Sequence, residues 1–212
     1  MRKLVLLLLI TTLSANATQA AVFARDLVPG SGDGLLTFDD VNQREWLDVP
    51  ETLLVNFMGT TIEERFQSAA MELAIGGIFE GFTIAKSNDF IALAQSAGID
   101  TDQTTLGVNE IASRKLIDLV GQTSLGTSTG ISAIAFLDEL EPLTGCNCRI
   151  VGGVAVNPPF DLAGIGAGPP SSSVDGGLAP FAGVWLYRQV PEPLSCHLIV
   201  LGMILLPTRR RP

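Results

Sequence analysis

Residues 35–49 read LLTFDDVNQREWLDV, and this stretch sets the fold class. The apolar, β-branched and aromatic side chains at 35–38 and 45–49 predict two short strands. The polar residues 39–43 between them predict a turn-like connection. The chain is therefore expected to enter its folded part through a pair of β-strands.

Three helices are predicted after these strands. Thr61 and Glu64 have the spacing of a capping box, and the apolar stripe behind them predicts a helix that runs to Leu73. A second helix is expected to begin at Ser87 or Asn88, and a third covers about residues 109–120. Each predicted helix is followed by glycine, a common helix terminator: Gly76, Gly98 and Gly121.

One more strand is predicted at 78–85, between the first and second helices, and the later half of the chain predicts strands at 131–137, 149–156 and 184–188. Residues 157–180 are rich in proline, glycine and serine and predict a long loop without regular structure. Strands on both sides of a group of helices indicate one α+β domain over residues 21–189, with a short antiparallel sheet and about three helices.

The N-terminus has the three parts of a secretory signal peptide. Arg2 and Lys3 precede an apolar run over residues 4–13, and a segment of small residues follows. Residues 1–20 are therefore expected to form a signal helix that the Sec export machinery reads. Signal peptidase is expected to cut after Ala17 or Ala20, two sites that the pattern does not separate.

The C-terminus, residues 190–212, carries a second targeting pattern. The sequence VPEP at 190–193 precedes an apolar run at 194–206, and the chain ends in PTRRRP. Thirteen residues make a helix of roughly 20 Å against a hydrocarbon core of roughly 30 Å, so the run is short for a permanent anchor. The terminal arginines favour the cytoplasmic side, which leaves the middle domain outside the cell.

This order of features resembles the PEP-CTERM sorting signal of exopolysaccharide-producing Gram-negative bacteria. The resemblance implies that an exosortase-type membrane transpeptidase recognises and cleaves the tail and leaves the protein at the cell surface or in the extracellular matrix. The residues that match the signal are Pro191, Glu192, Pro193, Arg209, Arg210 and Arg211. An ordinary transmembrane anchor is the alternative, and the sequence leaves open whether the tail is cleaved or kept.

Residues 26–98 and 183–189 resemble a divergent C-type-lectin-like domain, in which N- and C-terminal strands pair. The matching pieces include the run from Asp26 to Asp39, the tryptophan strand at 45–48 and the closing strand at 183–188. The resemblance implies an exopolysaccharide-binding module as an alternative function. Three aromatic residues are candidates for stacking on sugar rings: Trp46, Trp185 and Tyr187.

The net negative charge of the chain limits which partners it can bind. The chain carries 13 basic and 22 acidic side chains, and residues 21–189 carry 8 and 21, a net charge of −13. Such a surface disfavours nucleic acid and anionic lipid. Asp33, Asp39 and Asp40 are a weak candidate for calcium, without the EF-hand pattern. The sequence therefore predicts no metal site and no cofactor.

Catalytic patterns are incomplete. The stretch GTSTG at 126–130 matches a nucleophile elbow around Ser128, but the one histidine, His197, lies in the tail. A secreted hydrolase that uses paired carboxylates such as Glu63 and Glu64 is the second alternative. We expect a non-enzymatic protein without catalytic residues. The states of Cys146 and Cys148 stay open.

Overall fold

The computed structural model describes residues 22–123, 130–141, 148–168 and 182–191. These residues form nine β-strands in two sheets and three α-helices, which confirms the predicted α+β class. Neither the predicted signal helix nor the C-terminal apolar run lies within the described residues. No helix in the described ranges is both long and apolar enough to cross a membrane.

The first sheet has five strands in the order β1-β2-β3-β9-β4, and all its pairs are antiparallel. The strands are β1 Val22–Arg25, β2 Leu36–Asp39, β3 Arg44–Leu47, β4 Thr83–Ile84 and β9 Leu186–Gln189. The register aligns Val22 with Asp39, Asp39 with Arg44, and Arg44 with Gln189. The start of β1 and the end of β9 therefore lie at the same end of the sheet.

The second sheet has the order β7-β6-β5-β8. Its strands are β5 Ile131–Leu140, β6 Arg149–Asn157, β7 Leu162–Gly168 and β8 Gly183–Val184. β8 runs parallel to β5, so this second sheet is mixed. The predicted short antiparallel sheet corresponds to the first sheet, and the second sheet was not predicted. The chain changes sheets at Trp185, which divides the predicted 184–188 strand into β8 and β9.

The helices are α1 Ile62–Met71, α2 Ser87–Ser96 and α3 Leu106–Val120. The predicted capping box of α1 is present: Thr61 Oγ1 accepts the Glu64 N–H at 3.1 Å, and the Glu64 carboxylate accepts the Thr61 N–H at 3.1 Å. Three short 3₁₀ segments complete the regular structure: Val49–Thr52, Leu54–Asn56 and Pro158–Phe160.

Two segments have a different structure from the one that their local composition predicts. Of the predicted strand at 78–85 only Thr83–Ile84 is a strand, because the preceding residues form turns around Gly76 and Gly81, both with φ +85°. The predicted loop at 157–180 contains β7, which pairs with β6 from Leu162 to Gly168. Long-range pairing has overridden a glycine-rich sequence there. The remainder of that loop from residue 169 lies outside the described residues.

Trp185 joins the two sheets at the centre of the core. Its backbone N–H donates to the Phe136 carbonyl at 3.1 Å, and its carbonyl accepts the Ala85 N–H at 2.8 Å. The indole Nε1–H donates to the Gly152 carbonyl at 3.0 Å. A Cβ at Gly152 would lie 3.0 Å from Leu137 and 3.2 Å from Phe90, so glycine makes room for this packing.

Candidate functional site

The aromatic residues proposed for sugar stacking are mostly core residues. Trp46 and Trp185 are 0% exposed and pack edge to face, with ring centroids 6.2 Å apart. Both side chains point to the side of the first sheet that packs against α2 and α3. The half-buried Tyr187 ring lies under the Arg44 guanidinium, 4.4 Å from its centroid. Buried rings leave no face for a glycan, so the structure argues against stacking by the two tryptophans.

The other side of the first sheet carries a row of charged and aromatic side chains. The register places Phe23, Phe38, Glu45 and Arg188 opposite one another across four strands. We call these four residues, together with Arg25 and Phe82, the arginine–aromatic face. Helix α1 and the 3₁₀ segment at Leu54–Asn56 pack on the same side of the sheet through Phe66 and Leu54.

Glu45 organises the arginine–aromatic face. Its carboxylate accepts from Arg25 Nη1 at 3.1 Å and from Arg188 Nε at 2.8 Å, and its side chain is only 12% exposed. The Arg25 guanidinium lies 3.5 Å from the Phe38 ring centroid, and the Arg188 guanidinium lies 5.1 Å from that of Phe82. These contacts place both guanidinium groups over aromatic rings, at cation–π distance.

The face leaves polar and apolar groups accessible side by side. Phe23 is 40% exposed, and the Arg25 and Arg188 side chains are 37% and 34% exposed. An exposed ring beside guanidinium donors can bind the apolar face and the hydroxyls of a sugar. Sequence reasoning missed this group because its members come from four strands and meet only through the register. The alternation in β1 was the one local signal.

The acidic residues considered for calcium are already occupied by backbone donors. The Asp33 carboxylate accepts the hydroxyl of Ser31 at 2.7 Å and the N–H groups of Leu27, Val28 and Leu35 at 2.8 to 3.2 Å. These hydrogen bonds, led by that of Ser31, hold the pKa of Asp33 far below its usual range. Within the described ranges no group of three or more potential ligand side chains could hold a metal ion.

Asp39 lies in a different local network from Asp33. Its buried carboxylate accepts the N–H groups of Val41 and Asn42 at 3.1 Å each and the Asn42 side-chain amide at 2.7 Å. These contacts close the β2–β3 turn. Both aspartates therefore stabilise loops, and their oxygens face N–H donors, which would have to be displaced by a cation.

The paired carboxylates also have structural partners. Glu63 accepts from Arg149 Nε at 2.8 Å and Nη2 at 2.9 Å, which ties α1 to β6. Burial raises the pKa of Glu63, but hydrogen bonds from Arg149 and Gln67 outweigh it and leave the pKa below its ordinary value. Hydrogen bonds from the Thr60 hydroxyl and the Thr60 and Thr61 N–H groups lower the pKa of Glu64 to about 2. Neither has the raised pKa of a general acid.

The last strand ends where the sorting pattern begins. The Val190 N–H donates to the Gln43 carbonyl at 2.9 Å, and the Gln189 side-chain amide donates to the carbonyls of Asn42 and Gln43 at 3.1 Å each. Pro191 follows and is exposed. The remaining candidates lie outside the described residues: Glu192, Pro193, Arg209, Arg210, Arg211, Ser128 and His197.

Cysteine gives one further observation. Cys148 is disulfide-bonded. Cys146 and Cys196 lie outside the described residues.

Comparison with known proteins found no matching family model, no matching curated protein and no matching solved structure.

Proposed function

We propose that this chain is an exported, non-enzymatic protein of the cell surface or extracellular matrix. Its C-terminal tail would be sorted and cleaved by an exosortase-type transpeptidase, after signal peptidase and the Sec machinery have acted at the N-terminus. The observation that carries the proposal is the order of Pro191-Glu192-Pro193, apolar run and arginine cluster behind a folded domain. The structural roles of Asp33, Asp39, Glu63 and Glu64 support the non-enzymatic part over a carboxylate-dependent hydrolase.

The ends of the domain support this topology. Val22 and Gln189 lie in one row of the first sheet, three strand spacings or about 14 Å apart. A signal peptide before Val22 and a membrane-inserted tail after Gln189 would therefore leave from the same end of the domain. The four residues 190–193 reach at most about 14 Å, so the domain would lie close to the bilayer while the tail is inserted.

The first test replaces the charges of the tail. Changing Arg209, Arg210 and Arg211 together to Gln should prevent normal processing, because each arginine resists entry into hydrocarbon by about 2.5–3.5 kcal/mol and the apolar run is short. Glu192→Gln should impair cleavage with little effect on insertion. Cell fractionation and intact-mass analysis in the native host measure both effects. The matched control is Arg114→Gln, which changes a partly exposed arginine of α3. Normal sorting and cleavage of both tail variants would favour a plain anchor.

A second candidate function is sugar binding by a C-type-lectin-like domain. We propose this finer fold because the closing strand β9 pairs with the N-terminal strand β3, with Glu45 opposite Arg188 and Trp46 opposite Tyr187. The observation that favours sugar binding is the arginine–aromatic face, where Phe23 and two guanidinium groups are accessible. A net charge of −13 favours a neutral exopolysaccharide over an anionic one.

Affinity electrophoresis in gels that contain a neutral polysaccharide tests this second function. Phe23→Ala should weaken retardation about tenfold, the equivalent of about 1.4 kcal/mol for one stacked ring. Phe160→Ala is the matched control, because Phe160 is 77% exposed in a different part of the fold. Retardation that is equal for both variants would place any sugar site elsewhere, and a parent chain without retardation would remove the candidate function.

A further inference from the structure

The outer edge of β7 is an open strand edge. Among the described residues β7 is the terminal strand of the second sheet, and β6 is its one strand partner. At its beginning the other edge is covered, because the Ala163 N–H donates to the Thr104 carbonyl at 2.9 Å and Leu162 forms a bridge with Thr105. From Gly164 to Gly168 the described residues offer no strand on that side.

The contact of Ala163 fixes which backbone groups point outward. In an antiparallel ladder the N–H and C=O of one residue point to the same side, and successive residues alternate. The register of β7 with β6 has no shift, so Ile165 and Ala167 point away from β6 as Ala163 does. Each copy of the chain thus presents four backbone groups at this edge, and Gly166 and Ala167 are exposed.

This edge lacks the usual protection against pairing. Natural proteins block open edges with charged side chains, proline or bulges. β7, which reads LAGIGAG, has no charged residue and no proline, and its pairing with β6 is regular. The other edge strands are shorter: β4 and β8 have two residues each, and β1 has four and includes Arg25.

We propose that a second copy of this chain pairs with β7 in antiparallel orientation, about a two-fold axis that passes through Gly166. This register places Ile165 opposite Ala167 of the second copy and Ala167 opposite Ile165. Both are hydrogen-bonded pairs, so all four outward groups of each copy are satisfied by four hydrogen bonds. The result is a continuous sheet of eight strands. An isologous contact of this kind closes on itself and does not extend into a fibre.

The two copies should be close enough for a disulfide at one position only. Gly166 faces its own symmetry mate as a non-hydrogen-bonded pair, in which the Cα atoms lie about 4.5 Å apart, within the range of a disulfide. A Cβ at Gly166 meets nothing within 4 Å, so cysteine fits there. Ala167 faces Ile165 of the second copy, so two cysteines at position 167 would be offset along the strands and lie too far apart.

The test is cysteine cross-linking of the full chain, purified and treated with a mild oxidant. Gly166→Cys should give a disulfide-linked dimer on non-reducing gels above the level of the parent chain, and Ala167→Cys should not. Adding Ala167→Pro to Gly166→Cys removes one outward N–H without touching the β6 ladder and should abolish the dimer. Circular dichroism checks that this double variant is folded, and Ala167→Lys in its place provides a second, charge-based block.

Three results would overturn the pairing. Absence of a Gly166→Cys dimer excludes it, and equal cross-linking at 166 and 167 would show unspecific contact at this surface. A dimer that survives both Ala167→Pro and Ala167→Lys would also contradict the proposal, because it could not depend on the β7 edge. The readout uses purified protein, so it does not depend on export or on cleavage of the tail.

Discussion

Asp48 shows how one residue can link stability to pH. It follows β3 and precedes the 3₁₀ segment Val49–Thr52, close to the point where α3 ends at Gly121. Its Oδ1 atom is buried and has no hydrogen-bond partner among the described residues. Burial, with the negative charges of Glu51 and Asp33, raises the pKa of Asp48 to about 7.

The raised pKa predicts that stability falls as pH rises from about 4 to about 7. In that window the unfolded chain has released the proton of Asp48 and the folded chain still holds it, so rising pH favours unfolding. Asp48→Asn removes the titration. We expect the variant to be more stable than the parent at pH 8 by about 2 kcal/mol, after allowance for solvent screening, and equally stable near pH 4. Urea unfolding at both pH values measures the difference.

A matched control for this prediction is Asp102→Asn, which changes an exposed aspartate in the loop before α3. Its stability difference from the parent should be small at both pH values. If Asp48→Asn were less stable than the parent at pH 8, the ionised carboxylate would be contributing favourably. The assignment of Asp48 as a destabilising buried acid would then be wrong.

At the scale of elements, local signals predicted the helices and long-range pairing decided the rest. The capping box at Thr61–Glu64 and the glycine after α3 act within one helix, so the sequence alone reveals them. β7 was assigned to a loop because its glycines carry no strand signal, and it exists because β6 pairs with it along its whole length. The pairing partner of Gly168 is Val151, seventeen residues earlier in the chain, so the sequence of β7 itself carries no signal of this pairing.

The second difference between prediction and structure at this scale concerns which side of the first sheet is buried. The β-branched and aromatic content of β3 and β9 predicted strands, but it did not indicate which side the helices cover. Helices α2 and α3 cover the side of Trp46 and Trp185, which makes these residues core, whereas Glu45 and Arg188 lie on the side that α1 covers in part. The arginine–aromatic face therefore required the register between four strands, which composition and spacing do not contain.

At the scale of the whole molecule, the two sheets are joined by two clusters of buried hydrophobic residues, each of which contains residues of both sheets. Trp185 is hydrogen-bonded to β5 and β6 of the second sheet and to Ala85, the residue after β4 of the first. The Thr52 hydroxyl joins the 3₁₀ segment to β8 by accepting the Val184 N–H at 2.9 Å. Gly183 is required at that contact, since a Cβ there would lie 2.5 Å from the Thr52 hydroxyl. Both contacts are made by residues within the range 22–191, outside the two expected targeting segments.

We therefore predict that residues 22–191, expressed alone, fold cooperatively and without metal. The core is built within this range, and the carboxylates of Asp33 and Asp39 already accept backbone N–H groups. Thermal unfolding followed by circular dichroism should give the same Tm in EDTA and in millimolar calcium. A calcium site filled to one hundred times its Kd would add about 2.7 kcal/mol, which corresponds to a rise in Tm of about 5–10 °C for a domain of this size. A rise of that size would show that calcium displaces these hydrogen bonds, and Asp33→Asn should then abolish the rise while Asp102→Asn should not.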